Sequence, residues 1–302
     1  MTPCSPRHPA PAASRLLLAL VALPAVAGCG LDDPGPDPLE DVEAAFTFGV
    51  VGDQPYSARS EGRFPELVAS LEDRSPGFVI HVGDIKGGST PCTDSLFLAR
   101  KEALAAIDLP LVYLPGDNDW TDCHRGAPGI HDPLERLEAL RRLFYPRAGS
   151  STVGGRPMAV EQQADQPEWN EFFEHQRWRR EGIVFTTLHV VGSLNGLVSF
   201  DTRTEAHDTE VDRRIAASVA WLGETFAEAR RLEAPAVVVA IHGNPWDVRG
   251  DPPRSGFEEI LAALAEEAEA FGRPVLLIHG DTHTFRVDRP LRTPAGDTVA
   301  NV

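Results

Sequence analysis

Positive charge is scarce in this chain: 28 Lys and Arg stand against 45 Asp and Glu, a formal net charge of −17. That deficit excludes nucleic acid or an anionic membrane surface as a partner held by charge. It does not exclude an anionic substrate, because bound metal ions invert the local sign. The apolar run LLLALVALPAVAG at residues 16–28 is too short to span a bilayer and stay there. Internal repeats and blocks of like charge are absent. Cysteine is sparse enough, at four residues, for each to be considered singly.

What is present suffices for a core. Hydrophobic residues make up 42% and charged residues 24% of 302 positions, which fits one large α/β domain or two small ones. The first segment stands apart from the fold. Arg7 and Arg15 precede the apolar run, which ends just before Cys29, the layout of a secretory signal. Val26 to Cys29, VAGC, resembles the lipobox of bacterial lipoproteins, which implies a signal peptide over 1–28 and an acylated Cys29 as the first mature residue. Gly30 follows it, so the resemblance implies no inner-membrane retention signal. The expected location is the cell envelope, on a periplasmic or outer-membrane face, with the membrane touched through the lipid alone. Residues 29–44, rich in Pro, Gly and Asp, read as a flexible tether, and the domain runs from 45 to 302. Cys4 leaves with the signal. Cys92 and Cys123 remain as an even pair in an oxidising compartment and are expected to be joined, worth roughly 3–4 kcal/mol of loop-closure entropy.

Strands and helices then alternate. Apolar runs at 46–52, 77–83, 109–116, 182–192, 234–243 and 273–280 predict strands; 284–290 and 297–302 predict two short ones. Helical spacing predicts helices over 63–74, 94–107 with Asp94 as its cap, 132–144, 212–233 and 257–272. The stretch from Pro146, rich in Gly, Ser, Gln and Pro, reads as a long surface excursion and a seat of substrate choice. Uniformly apolar strands alternating with helices predict a largely buried sheet with helices on both faces, and ligands at the carboxyl ends of its strands.

Those ends are where the polar residues gather. Gly-Asp recurs at 52–53, 83–84, 116–117 and 280–281, and His242 and His283 join the same rim. Carboxylates crowded together raise one another's pKa unless a cation intervenes. Carboxylates with imidazoles form a ligand set for Mn, Fe, Zn or similar ions. Six donors exceed one closed tetrahedral site and suit two metals sharing a carboxylate, an arrangement that activates water and clamps a phosphoryl group. His81 and His189, inside strands, read as packed core histidines.

The order Gly-Asp, Gly-Asp about thirty residues on, Pro-Gly-Asp-Asn-Asp, a lone His, and Gly-Asp-Thr-His resembles the calcineurin-like metallophosphoesterases, over nearly the whole mature domain. The resemblance implies a four-layer α/β sandwich, two mixed sheets flanked by helices, around a dinuclear centre whose bridging hydroxide hydrolyses phosphate mono- or diesters. It implies Asp53, Asp84 and His283 on the first metal, and Asp84, Asp117, His242 and Asp281 on the second. The match is partial. Pro55 stands where the family has a His, Asp117 where it has Asn, Asn118 where it has the catalytic His, and Asp281 where it has another His. Two extra negative charges favour hard ions, so two divalent cations of the Mn, Fe or Mg kind are expected over Zn. Gln54 is a candidate to fill the gap at Pro55. Asn118 donates a hydrogen bond but is no usable acid, so His124, from the loop that follows, is a candidate to replace it. The candidate catalytic residues are therefore Asn118, His124 and Asp119. Arg125, Lys86 and Asn195 are candidates to contact the phosphate of a small substrate. The departures also leave open a catalytically weak, metal- or ligand-binding lipoprotein that keeps the fold.

Overall fold

The computed structural model describes residues 46–145, 153–248, 250 and 252–302. The signal peptide, the tether with Cys29, and residues 146–152 of the excursion lie outside the described residues.

Strands β1 (Gly49–Val51), β2 (Val79–His81) and β3 (Leu111–Tyr113) pair in parallel in that order, with Gly49 opposite Val79 and Val79 opposite Leu111. Helix α1 (Ala58–Arg74) joins β1 to β2, α2 (Asp94–Ala105) joins β2 to β3, and α3 (Pro133–Phe144) follows β3. Local chemistry sets their starts. Ser57 and Ser60 cap α1 reciprocally, and Asp132 accepts from Leu134 N and Glu135 N with Pro133 at the first turn of α3. Thr93 rather than Asp94 caps α2, accepting from Leu96 N, because its hydroxyl sits one residue earlier in extended backbone.

A second sheet holds β4 (Glu161–Gln162), β5 (Gln176–Arg180), β6 (Ile183–Thr187), β7 (Val237–Ala240) and β8 (Val275–Ile278) in sequence order. β4, β5 and β6 pair antiparallel; β6, β7 and β8 pair in parallel through α4 (Glu205–Arg231) and α5 (Glu258–Phe271), the latter closed by left-handed Gly272.

Alternation along the strands builds three cores. Phe78, Ile80, Val82 and Val112 of the first sheet pack on Trp178, Phe185, Val238 and Ala240 of the second. The Phe78 ring meets Phe185 and Trp178 edge-on at 5.0 and 5.4 Å. The opposite face of the first sheet, with Val79 and Leu111, buries Phe64, Phe97, Leu104, Leu137 and Leu140 of α1–α3. Val184, Val237 and Val239 do the same for Ile215, Trp221, Phe226, Ile260 and Leu264 of α4 and α5. Helices therefore cover the outer face of each sheet, and β2, β3 and β7 are buried along their whole length, which is why they read as continuous apolar runs.

Two sheets flanked by helices stand where alternation alone predicts one; the resemblance implies two mixed sheets, and of these only the second is mixed, the first being wholly parallel because each of its strands is joined to the next by a helical crossover. The missing partners were β4 and β5, hidden in the excursion. β5 reads QRWRR, yet Gln176 and Trp178 are buried. The two terminal strands are absent among the described residues, where one bridge joins Arg292 to Thr298 and Phe285 and Val287 stay exposed. α4 begins at Glu205, not 212, because Thr204 caps it. No helix of the described residues is long and apolar enough to cross a membrane.

Candidate metal centre

The loops after β1, β2 and β3 carry Asp53, Asp84 and Asp117; those after β7 and β8 carry His242, Asp281 and His283. One contact ties the two sets together. His242 Nδ1 lies 2.6 Å from the Val82 carbonyl, so Nδ1 bears the hydrogen and donates it, and Nε2 is turned inward. Nε2 lies 3.3 Å from Asp117 Oδ1 and 3.5 Å from Asp84 Oδ1. On the other side, His283 Nε2 lies 3.1 Å from Asp53 Oδ1.

These residues form two groups, Asp53–Asp84–His283 and Asp84–Asp117–His242, and the ligand atoms within each lie within 4.8 Å of one another. Asp84 belongs to both. The donor chemistry fits a divalent cation: carboxylate oxygens, and an imidazole whose tautomer is fixed by a carbonyl, the usual support of a metal-bound His. Asp53 Oδ1 is buried and accepts no hydrogen bond, an anionic oxygen that a cation would satisfy. Asp281 stands outside both groups; its Oδ2 accepts from Asn244 N at 3.3 Å.

Electrostatics describe the same crowd. Burial pushes the Asp84 carboxyl well above the usual range, against the pull of His242. Burial raises Asp53 and Asp281 as well. Burial also acts to raise Asp117, but the hydrogen bond and charge of His242, with help from Ser193, bring it down to about 2. Burial would neutralise His242; Asp84 and Asp117 outweigh it and hold the imidazolium well above its ordinary range. The imidazolium thus balances the carboxylates in the metal-free molecule.

The backbone is bent to serve this arrangement. Asp53, Asp84, Asp281 and His283 have φ of 55, 57, 74 and 54°, in the left-handed region. Each such residue costs about 1–2 kcal/mol, and strain of this kind concentrates at functional sites. Gly116 is required by contact: a Cβ there would stand 2.0 Å from Asp84 Oδ1. The glycines at 83 and 116 thus allow loop to approach loop.

The other sequence-selected residues divide. Asn118 lies on the centre; its N–H donates to Asp84 Oδ1 at 3.1 Å, and its Nδ2 donates to Asp84 Oδ2 and to Tyr56 Oη. Asp119 is fully buried and turned away. Its Oδ2 accepts from Asp84 N (3.0 Å), Gly116 N (2.8 Å) and Tyr113 Oη (2.8 Å), and its Oδ1 from Ile85 N (3.0 Å). It joins two loops. His124 donates from Nδ1 to Thr121 O and stacks on Phe200 at 4.3 Å, with no contact to either group. Arg125 pairs with Asp122 at 2.6 Å, lies 3.3 Å from Ser193 Oγ, and keeps its side chain 45% exposed. Lys86 is fully buried and donates to Gly87 O; burial pushes its ammonium below the usual range, against the pull of Asp119 and Asp84. Asn195 is engaged elsewhere, accepting from Val191 N and Arg214 and donating to Gly256 O. Pro55 follows Gln54, whose carbonyl takes the buried His81 Nε2. His189 is buried too. Cys92 and Cys123 form a disulfide, Cα–Cα 5.8 Å, between the loops that carry Asp84 and Asp117.

Sequence reasoning missed three residues. Ser193, in a left-handed turn after β6, places Oγ 2.8 Å from both Asp117 Oδ2 and Asp122 Oδ1. One hydroxyl hydrogen serves one carboxylate, so Asp122 completes the bond best when it keeps its proton. Burial, then Asp117, push Asp122 up to about 7, against Arg125. Tyr56 is the third, edge-on to His283 at 4.5 Å. A serine or tyrosine distant in sequence carries no spacing signal; the turn that brings Ser193 in consists of Ser193, Leu194 and Asn195 at positive φ, which those residue types do not announce. No family model and no curated protein matches the chain.

Proposed function

We propose that the chain is a metal-dependent phosphoesterase of the calcineurin-like type, exported and held at the cell envelope by lipid on Cys29. One observation carries this reading: a single buried carboxylate, Asp84, belongs to two adjacent Asp/His groups. Helices outside two face-to-face sheets accord with the four-layer sandwich of that type. The disulfide accords with an oxidising compartment.

Asp53, Asp84 and His283 would hold one divalent cation, and Asp84, Asp117 and His242 the other, with Asp281 beside the second; Mn, Fe or Mg suit so many carboxylates. When bound, such ions supply an activated water and charge neutralisation for a phosphoryl group. The chain supplies the rest. Val82 O aims His242 Nε2, and Ser193 fixes Asp117. Arg125, half-exposed at the Ser193 side, offers its guanidinium to the phosphate of a small mono- or diester.

The test is metal content of the purified mature protein, then turnover of aryl phosphate mono- and diesters with Mn added. Asp84→Asn removes a charge from both groups and is expected to reduce turnover at least a hundredfold. Wild-type turnover in that variant, with metal bound, defeats the enzyme reading. A second reading, a metal-binding lipoprotein with little turnover, is favoured by Asn118, whose amide is committed to Asp84 and Tyr56. It predicts bound metal and no hydrolysis.

A further inference from the structure

Asn118 has two amide hydrogens, and both have acceptors within the protein. The Asp84 carboxylate fixes Nδ2 on its side, and the same nitrogen lies 3.2 Å from Tyr56 Oη. Tyr56 Oη is therefore an acceptor from Asn118. Its own hydrogen has no acceptor among the described residues.

The surroundings hold the phenol in place. Tyr56 N donates to Ser60 Oγ at 2.8 Å, which anchors the residue to the start of α1. The ring stands edge-on to His283, so the hydroxyl lies between the loop of the first Asp/His group and that of Asn118. The Gly87-Gly88 pair makes the room. A Cβ on Gly87 would stand 2.6 Å from Tyr56 O and 3.2 Å from its ring, and one on Gly88 would stand 2.8 Å from Asn118 Oδ1. A tyrosine hydroxyl has one hydrogen and two lone pairs. With the oxygen accepting from Asn118 Nδ2, the hydroxyl hydrogen is left to donate to a further acceptor.

We propose that Tyr56 is a catalytic residue of this centre, whose hydroxyl donates a hydrogen bond to an oxygen of a phosphate ester held there. The proposal rests on the phosphoesterase reading. Asn118 then acts as a positioning residue, orienting the phenol. A donor already fixed before substrate arrives needs no reorganisation as negative charge develops on the phosphoryl oxygens.

The test compares Tyr56→Phe with wild type in the full mature chain loaded with Mn; Phe keeps the ring against His283. Inorganic phosphate is the binding probe, and an aryl phosphate ester the substrate. Loss of one hydrogen bond to a charged oxygen is expected to weaken phosphate binding about tenfold to a hundredfold. kcat is expected to fall about a hundredfold with a smaller change in KM. Mn affinity and melting temperature are expected to stay unchanged. Phosphate binding within twofold of wild type overturns the proposal. So does an equal loss of Mn affinity or an early melt, which would make Tyr56 structural, and so does a wild-type protein that binds no phosphate. Wild-type protein that binds phosphate but hydrolyses no ester defeats the phosphoesterase reading alone, and the binding difference still decides Tyr56.

Discussion

Replacing Asp119 separates two roles that its sequence position allows. A catalytic acid at 119 would lose activity on substitution and leave stability alone. The structure gives it a different task, since four donors, three from the loops after β2 and β3 and Tyr113 Oη from β3 itself, converge on a carboxylate with no exposure. In Asp119→Asn the remaining oxygen can keep the three donors now on Oδ2. Its new amide then faces the Ile85 N–H, donor against donor. One hydrogen bond to a charged group is lost, worth about 1.5–3 kcal/mol, and the others weaken as the charge goes. The sum is about 2–4 kcal/mol out of a domain stability of about 5–15 kcal/mol. For a domain of this size that is a fall of about 5–15 °C in melting temperature. Asp119→Ala strips all four donors of their acceptor and is expected to abolish stable folding. Urea unfolding of metal-free protein, followed by tryptophan fluorescence, measures both variants. An Asn variant that melts within about 1 °C of wild type but fails to turn over substrate refutes the reasoning and returns Asp119 to catalysis.

Two further outcomes follow from charge and covalent structure. Asp53, Asp84 and Asp122 have folded pKa values above the unfolded carboxylate value, Asp122 at about 7, and His242 is raised as well. Such groups stabilise the fold below their unfolded pKa and lose that contribution as pH rises through the folded value, whereas Asp117, at about 2, acts oppositely but is constant above about pH 5. Buried His81, His175 and His189 are held neutral by desolvation and act oppositely below about pH 6.5, the unfolded His value. The melting temperature of metal-free protein is therefore expected to fall from about pH 6.5 to 8, and Mn to suppress the fall; pH-independent melting without metal over that range contradicts this. Removing the disulfide with Cys92→Ala and Cys123→Ala opens a loop of sequence separation 31 and is expected to cost about 3–4 kcal/mol in urea unfolding, with Mn affinity falling too.

How much of this was legible depends on the range of the interaction that decides it. Helices α2, α3 and α5 follow from local spacing, and the structure places them within two residues of the expectation; α1 starts five residues before the expected 63, at the Ser57 cap. Placement of Gly-Asp pairs at strand ends was legible too, because the turn after a parallel strand is a local event. That there are two sheets was legible only through the motif resemblance, not from the periodicity of the strands. Strands of three residues in the first sheet carry too little pattern to reveal their partners, and β5 buries Trp178 inside a run of arginines.

The site shows the same limit within three residues. Asp117, Asn118 and Asp119 are consecutive, and two are chemically identical, yet Asp117 faces His242 while Asp119 faces backbone amides. The sequence fixes how many carboxylates arrive at the strand ends. The loop conformation decides which of them meet and which are neutralised by amides. Asp119 satisfies four donors and needs no cation. Asp84 and Asp117 share one imidazolium, and Asp53 retains a buried oxygen that accepts no hydrogen bond and has only the His283 imidazole beside it. The demand for multivalent cations therefore lies with the carboxylates that the backbone leaves short of donors, and a tally of acidic residues overstates it.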